Sequence, residues 1–330
     1  MKKSFFIVAS LAVTLPAFAA DTSFNPAMAL ILSGQANYFS KNPDETAGFS
    51  LGESELTLSA NVDQAFYGQF TLAVTPENEA EVEEAYIQTL SLPAGVTARF
   101  GRMKSGIGYL NSQHAHTWDF VDAPLIYSQL VEDSFADDGV RLTWLAPTDY
   151  FLEFGSEIFR GDAFPASGAD HQGTGAYSLY MHLGDDWRDQ AWQIGLSHLT
   201  TEARDRGEAS VFTGENQLTI ADVVWKSKQF KFQAEHFWSQ EQGDYTDLGA
   251  VNTREKGWYA QAVYQWVPRW RAGVRYDAAT EDASRTSAML DYSASEFSRL
   301  RLQLNLNEDN QQQILLQYQM SLGAHGAHSF

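Results

Sequence analysis

The chain has 330 residues, with 42 acidic against 22 basic side chains for a net charge of −20, and no cysteine. That acidity makes nucleic acid and anionic membrane surfaces poor partners, because both would repel it. Without disulfides an exported chain must rest on a large, well-bonded structure.

Export is what the first residues prescribe. Lys2 and Lys3 make a charged start, Phe5 to Leu15 an apolar core, and Ala17-Phe18-Ala19 a small-x-small cleavage site. This is a secretory signal peptide over residues 1–19, leaving 20–330 as one domain. Nothing further along offers the ~20 consecutive apolar residues of a spanning helix.

From there the dominant hydrophobic period is two rather than 3.6. Strands are expected near 27–39, 49–62, 65–75, 82–92, 96–103, 138–145, 149–160, 176–183, 191–199, 217–225, 229–238, 257–266, 269–279, 287–293, 297–306 and 312–324. In the second, Ser54, Leu56, Leu58, Ala60 and Val62 oppose Glu53, Glu55, Thr57, Ser59 and Asn61. In the fifteenth, Leu300, Leu302, Leu304 and Leu306 oppose Arg299, Arg301, Gln303 and Asn305. Successive strand residues point to opposite faces, so each ribbon has one apolar and one strongly polar side.

A soluble sandwich would show the same alternation. The connections separate the two. Tight links at Asp63–Gln64, Pro93–Gly95, Ala146–Thr148, Lys226–Lys228 and Val267–Pro268 alternate with longer ones, the longest over 104–137. Acidic stretches at Thr75–Glu84, Val131–Asp138 and Thr200–Ser210 are expected as exposed loops. Short turns on one edge, long loops on the other and an even strand count describe an outer-membrane barrel. The expected fold is therefore all-β: a transmembrane antiparallel β-barrel of about sixteen strands, in bacterial outer-membrane lipid. Trp144, Trp192, Trp225, Trp238, Trp258, Trp266, Trp270 and Tyr276 fall mostly near strand ends, where interfacial girdles belong. The last ribbon, Ile314 onward, must pair with the first, because lipid cannot satisfy a free edge. Its terminal Phe330 looks like the signal such barrels present to their assembly machinery.

Two stretches carry a family resemblance: "GFSLGESELTLSANVDQAFYGQFTLAV" (Gly48–Val74) and "VEEAYIQTLSLPAGVTARFGRMKSGIGYLN" (Val82–Asn111). They resemble the phosphate-selective (O/P-type) porin superfamily. "SQHAHTWDFVDAPL", "DDGVRLTWLAPTD", "SEFSRLRLQ" and "SLGAHGAHSF" are similar to zinc-regulated outer-membrane proteins often labelled TonB-dependent receptors. The resemblance implies a barrel over nearly the whole mature chain. A TonB-dependent receptor needs a plug ahead of a 22-stranded barrel, and a first strand starting near residue 27 leaves no room for one.

A sixteen-stranded barrel encloses an aqueous channel, whose selectivity comes from constrictions and charged rings. Residues 104–137 are the candidate constriction loop. Arg99, Arg102 and Lys104 lead into it, and Arg271, Arg275, Arg299 and Arg301 suggest a basic wall. Glu53, Glu55 and Glu153, with Glu157, Asp222 and Glu235, would face it across a transverse field. His114 and His116 in the loop, and His325 and His328 at the chain's end, are candidate metal ligands, since neutral imidazole suits zinc. No sequence-local triad marks a nucleophile, so no enzyme is expected. The expected function is a porin for passive diffusion of small hydrophilic solutes or ions, assembled as a homotrimer, with no required cofactor. The alternative is a protein that binds or takes up zinc.

Overall fold

The computed structural model describes residues 26–40, 47–76, 79–166, 173–280, 283–308 and 311–323. The signal peptide, His171, His325, His328 and Phe330 lie outside the described residues.

Seventeen β-segments follow in chain order: β1 (Ala27–Phe39), β2 (Gly48–Leu51), β3 (Ser54–Asn61), β4 (Phe66–Val74), β5 (Ala80–Thr89), β6 (Val96–Lys104), β7 (Ala136–Leu145), β8 (Phe151–Phe159), β9 (Ala176–Trp187), β10 (Gln190–Arg206), β11 (Phe212–Ser227), β12 (Phe230–Tyr245), β13 (Gly249–Val267), β14 (Trp270–Ala278), β15 (Ser284–Ser295), β16 (Ser298–Asn307) and β17 (Gln312–Gly323). From β3 onward each pairs antiparallel with the next. β17 returns to β1, from Ala29 opposite Gly323 to Phe39 opposite Gln313, and closes the cylinder. Both β2 and β3 pair with β1, so they are two halves of one spanning strand, and the barrel has sixteen.

The break between those halves is a bulge. Gly34 faces Leu51 but Ile31 faces Glu55, so one extra residue sits on the β2–β3 side. It reverses the alternation: Phe49 and Leu51 are 96% and 40% exposed on the outside, while Glu55 is 1% exposed on the inside. A bulge that re-aims side chains in this way keeps two carboxylates, Glu53 and Glu55, in the lumen.

The barrel is inside out relative to a soluble protein. Along β16, Leu300, Leu302, Leu304 and Leu306 are 39–51% exposed, whereas Arg301, Gln303 and Asn305 are at most 1% exposed. In water those leucines would forgo about 1.5–3 kcal/mol each of burial. Against hydrocarbon the loss vanishes, and a closed barrel leaves lipid no unpaired backbone. On β13, Trp258 and Trp266 mark two aromatic belts, Trp258 tilted against Tyr276 and Trp266 stacked on Trp270. Eight residues of strand rise about 26 Å, or roughly 20 Å of height at the usual tilt, close to the ~25 Å apolar band of outer-membrane barrels.

β9 to β13 run longer than their hydrophobic pattern, as hairpins standing above the belt. The acidic stretch Thr200–Ser210, expected as a loop, lies in β10 up to Arg206, and Thr75–Glu84 is strand from Ala80. Polar residues pair as readily as apolar ones once a hairpin leaves the bilayer, because its two faces both meet water.

Candidate functional site

Between β6 and β7 the chain turns into the lumen and stays there. Asn111 clamps the two ends of this segment: its Nδ2 donates to the carbonyls of Ser105 (2.8 Å) and Phe135 (3.0 Å), and its Oδ1 accepts from Phe135 N at 2.7 Å. One half is apolar. Ile107, Leu110, Ile126, Tyr127, Val131 and Phe135 pack on wall residues Phe159, Leu199, Leu218, Ile220, Phe237 and Tyr259. The short helix α1 (Leu125–Val131) supplies three of these. It ends at Glu132, whose positive φ of 48° reverses the chain.

Backbone donors of the inward segment meet carboxylates of the wall. Glu157 accepts from Gly106 N at 3.0 Å and from Ser105 Oγ. Glu235 accepts from Leu110 N (2.9 Å), Tyr109 N (3.3 Å) and the hydroxyls of Tyr127 (2.8 Å) and Tyr259 (2.6 Å). Gly108 has φ 62°, and a side chain there would collide with Glu235 Oε2, so only glycine lets the chain come this close.

The opposite edge is held by cations of the wall. Asp122 receives Arg275 (2.6 Å) and Arg285 (3.0 Å); Asp119 receives Lys231 (2.7 Å) and Arg271 (3.1 Å). Arg299 and Arg301 both donate to Trp118 O at 2.9 Å. Burial alone would raise the Asp122 carboxyl, but Arg285 and Arg275 overcome it and bring its pKa down to about 2. Asp119 is likewise lowered to about 2, its burial outweighed by Lys231 and Arg271.

The inward segment therefore packs on the wall from β8 round to β16 and reaches β3 and β5 through its histidines, leaving open space beside β1 and β17. Two cavities lie there, one toward each end of the barrel. The one at the long-loop end, about 730 Å³, is lined by Glu53, Glu81, Glu83, Asp122, Glu132, Asp133 and Asp162 against Arg102 and Arg285. The one at the short-turn end, about 1370 Å³, is lined by Lys226, Lys231, Arg269, Arg271 and Arg299 against Glu296. His116 and Gln319 line both, so the neck lies between them. Gln319 Nε2 also donates to His116 O at 3.1 Å.

At this neck the two loop histidines sit among wall glutamates. Glu55 Oε1 lies 2.6 Å from His116 Nδ1, and His114 Nδ1 lies 2.9 Å from Glu83 Oε2 and 3.3 Å from Glu55 Oε2. His114 Nε2 is 3.1 Å from Glu84 Oε2. Burial opposes a charge on His114, but Glu83, Glu55 and Glu84 around it hold its pKa well above the usual imidazole value.

No family model matches the chain. An uncharacterized protein of Aquifex aeolicus (strain VF5) is 29% identical over 334 residues, covering 87% of this chain and 71% of that protein. Among solved structures, Salmonella typhi OmpF in complex with daunomycin superposes with a TM-score of 0.65 at 10% identity, over 90% of this chain and 97% of the other. The trimer form of Vibrio cholerae OmpT gives 0.63 at 10% identity, over 90% and 99%. An anion-selective porin from Comamonas acidovorans gives 0.59 at 11%, over 90% and 99%. The chain has the fold of the outer-membrane porins.

On this porin barrel the residues singled out in the sequence separate into several groups. Arg271 and Arg299 face the inner cavity. Arg275 and Arg301, expected on a pore wall, are instead 2% and 1% exposed beneath the inward segment, because its carbonyls and carboxylates need buried donors. Arg102 lines the cavity at the long-loop end and pairs with Asp138 at 2.9 Å, above the neck. Lys104 is buried at the root of the segment against Glu83 at 2.7 Å. Arg99 lies on the lumen wall over the Tyr86 ring, bonded to Gln88. Glu153 meets His182 at 3.4 Å, and Glu157 and Glu235 are backbone acceptors. Glu53 and Glu55 do flank the neck. The expected transverse field is corrected to one along the channel, acidic at the long-loop end and basic at the short-turn end. Sequence reasoning missed Asp119, Asp122, Glu83, Glu84 and Arg285. The first two stand in the quoted "HTWDFVDAPL", where two aspartates spaced by three in an otherwise apolar run were the available signal.

Proposed function

We propose that this protein is a passive channel of a bacterial outer membrane, admitting small hydrophilic solutes and ions. One observation carries the reading: the inward segment leaves two polar cavities in the lumen, one toward each end, and they adjoin at His116 and Gln319. An aqueous path through a sixteen-stranded barrel is what its radius permits. Solutes pass it unaltered.

Charge sets the preference among them. A cation approaching the long-loop end meets an excess of carboxylates and is concentrated there; an anion is repelled before it can reach the basic inner cavity. The resemblance to phosphate-selective porins is accordingly proposed as kinship of fold and not of selectivity. We further propose a homotrimer, because Vibrio cholerae OmpT, a barrel of the same fold, has a trimer form. Insertion by the barrel-assembly machinery through the final strand and Phe330 completes the proposal.

The test is single-channel recording in planar bilayers. Steady, always-open conductance proportional to salt is expected, with a reversal potential of cation-selective sign in a salt gradient. A folded barrel that passes no current would refute the channel, and an anion-selective reversal potential would refute the charge argument.

A further inference from the structure

The neck holds a group of side chains that the passage of solutes does not require. Loop residues His114 and His116 stack with ring centroids 5.6 Å apart, and both rings reach Glu55, on β3. One ligand atom from each of Glu55, His114 and His116 lies within 4.8 Å of the others, and the same holds for Glu53, Glu55 and Glu83. Glu55 is common to both sets. Its side chain is 1% exposed, and its Oε2 receives no hydrogen bond, only the 3.3 Å ion-pair contact with His114 Nδ1. Glu53 Oε1, also buried, receives none either. Carboxylate oxygens withdrawn from water without donors are costly unless a cation meets them. His116, Glu53 and Glu83 line the outer cavity, so a cation drawn in by its acidic walls arrives at this cluster.

We propose that Glu55, His114 and His116 form a binding site for one divalent transition-metal ion of the zinc type at the channel's neck. Two imidazoles and a carboxylate with an open fourth position suit a borderline ion at about 2.0–2.2 Å from each ligand. Calcium and magnesium prefer six or more oxygens and gain little from the rings. With His116 Nδ1 2.6 Å from Glu55 Oε1 and His114 Nδ1 3.3 Å from Glu55 Oε2, the donor atoms already stand as close together as a small four-coordinate ion requires. Glu53 or Glu83 is placed to take the fourth position or to compensate the ion's charge.

Calorimetric titration of the folded full-length barrel in detergent with zinc chloride tests this. One ion per protomer is expected, with micromolar or tighter affinity, weakened at least tenfold in both H116A and E55Q. Unchanged heat-modifiable migration shows that these variants are folded. Should either misfold, cobalt(II) added to the wild-type barrel gives a second measurement, because nitrogen ligation in a tetrahedral site produces an intense visible spectrum. No uptake of zinc, equal uptake of calcium, or zinc binding that survives both substitutions but is lost in the H325A/H328A double variant would each overturn the assignment. A wild-type barrel that conducts but binds no zinc would sink this site alone and leave the channel standing.

Discussion

Asp122 takes Arg275 and Arg285 on its carboxylate, with Gln303 at 2.7 Å and Asn305 at 2.8 Å completing the shell. Removing it leaves two guanidinium groups buried beside Asp277 alone, a change of the kind that costs about 3 kcal/mol or more. Asp122→Ala should therefore release the inward segment without unfolding the barrel. Amide exchange is expected to quicken over 105–135 while β15–β17 stay protected, and open-channel current noise should rise. The pH dependence follows from the same carboxylate. Its pKa falls from the ordinary 3.8 to about 2 in the folded barrel. A lowered carboxyl contributes stability that is fully present above its unfolded value and lost as pH falls through the folded one. Conductance should thus stay constant from pH 7 to about 4, then become noisy and larger towards pH 2. Asp119, lowered likewise, acts in the same window. A transition centred near pH 6 would rule out this anchoring.

Among the elements, the β2–β3 strand depends on its bulge. Gly52 gives its N–H to Ser33 O at 2.8 Å, and a side chain on it would collide with Ser33 Oγ. Deleting Gly52 removes the extra residue, so either Phe49 and Leu51 turn into the lumen or Glu53 and Glu55 turn into lipid. Neither arrangement is tolerable, and the deletion should abolish the heat-modifiable form seen on electrophoresis. Along β16 the two faces predict opposite outcomes. Leu302→Arg places a charge against hydrocarbon and should cost about 2–4 kcal/mol of folding stability in lipid vesicles. Gln303→Leu, at a position with no exposure to lipid, instead strips Asp122 of a donor and should act on the channel rather than on insertion.

Over the whole molecule, charge is sorted by height. With carboxylates around one mouth and Lys226, Lys231, Arg269, Arg271 and Arg299 around the other, the channel is electrically polar along its axis. Ions then accumulate in the neck under one polarity of applied voltage and are depleted under the other. The current–voltage curve should rectify at low salt and become linear near 1 M, where the Debye length falls to ~3 Å. Arg269→Glu, at an exposed position in the inner cavity, should weaken the rectification. A symmetric curve at low salt would contradict the axial arrangement.

Much of this was legible from residues alone, because a barrel strand writes its environment into every second position. Leu300, Leu302, Leu304 and Leu306 announce lipid, the alternating loop lengths announce two sides of a membrane, and sixteen spanning strands follow. The HAH pair and the long 104–137 segment were also visible. What alternation cannot encode is which lumen residues touch water. Arg275 and Arg271 have the same parity and similar neighbours, yet one is sealed under the inward segment and the other faces the inner cavity. That choice depends on contacts between residues far apart in the chain, such as Asp122 with Arg275 and Glu55 with His116. Only the closed barrel, by bringing a folded segment against distant strands, determined where the passage runs and which carboxylates and imidazoles meet at its neck.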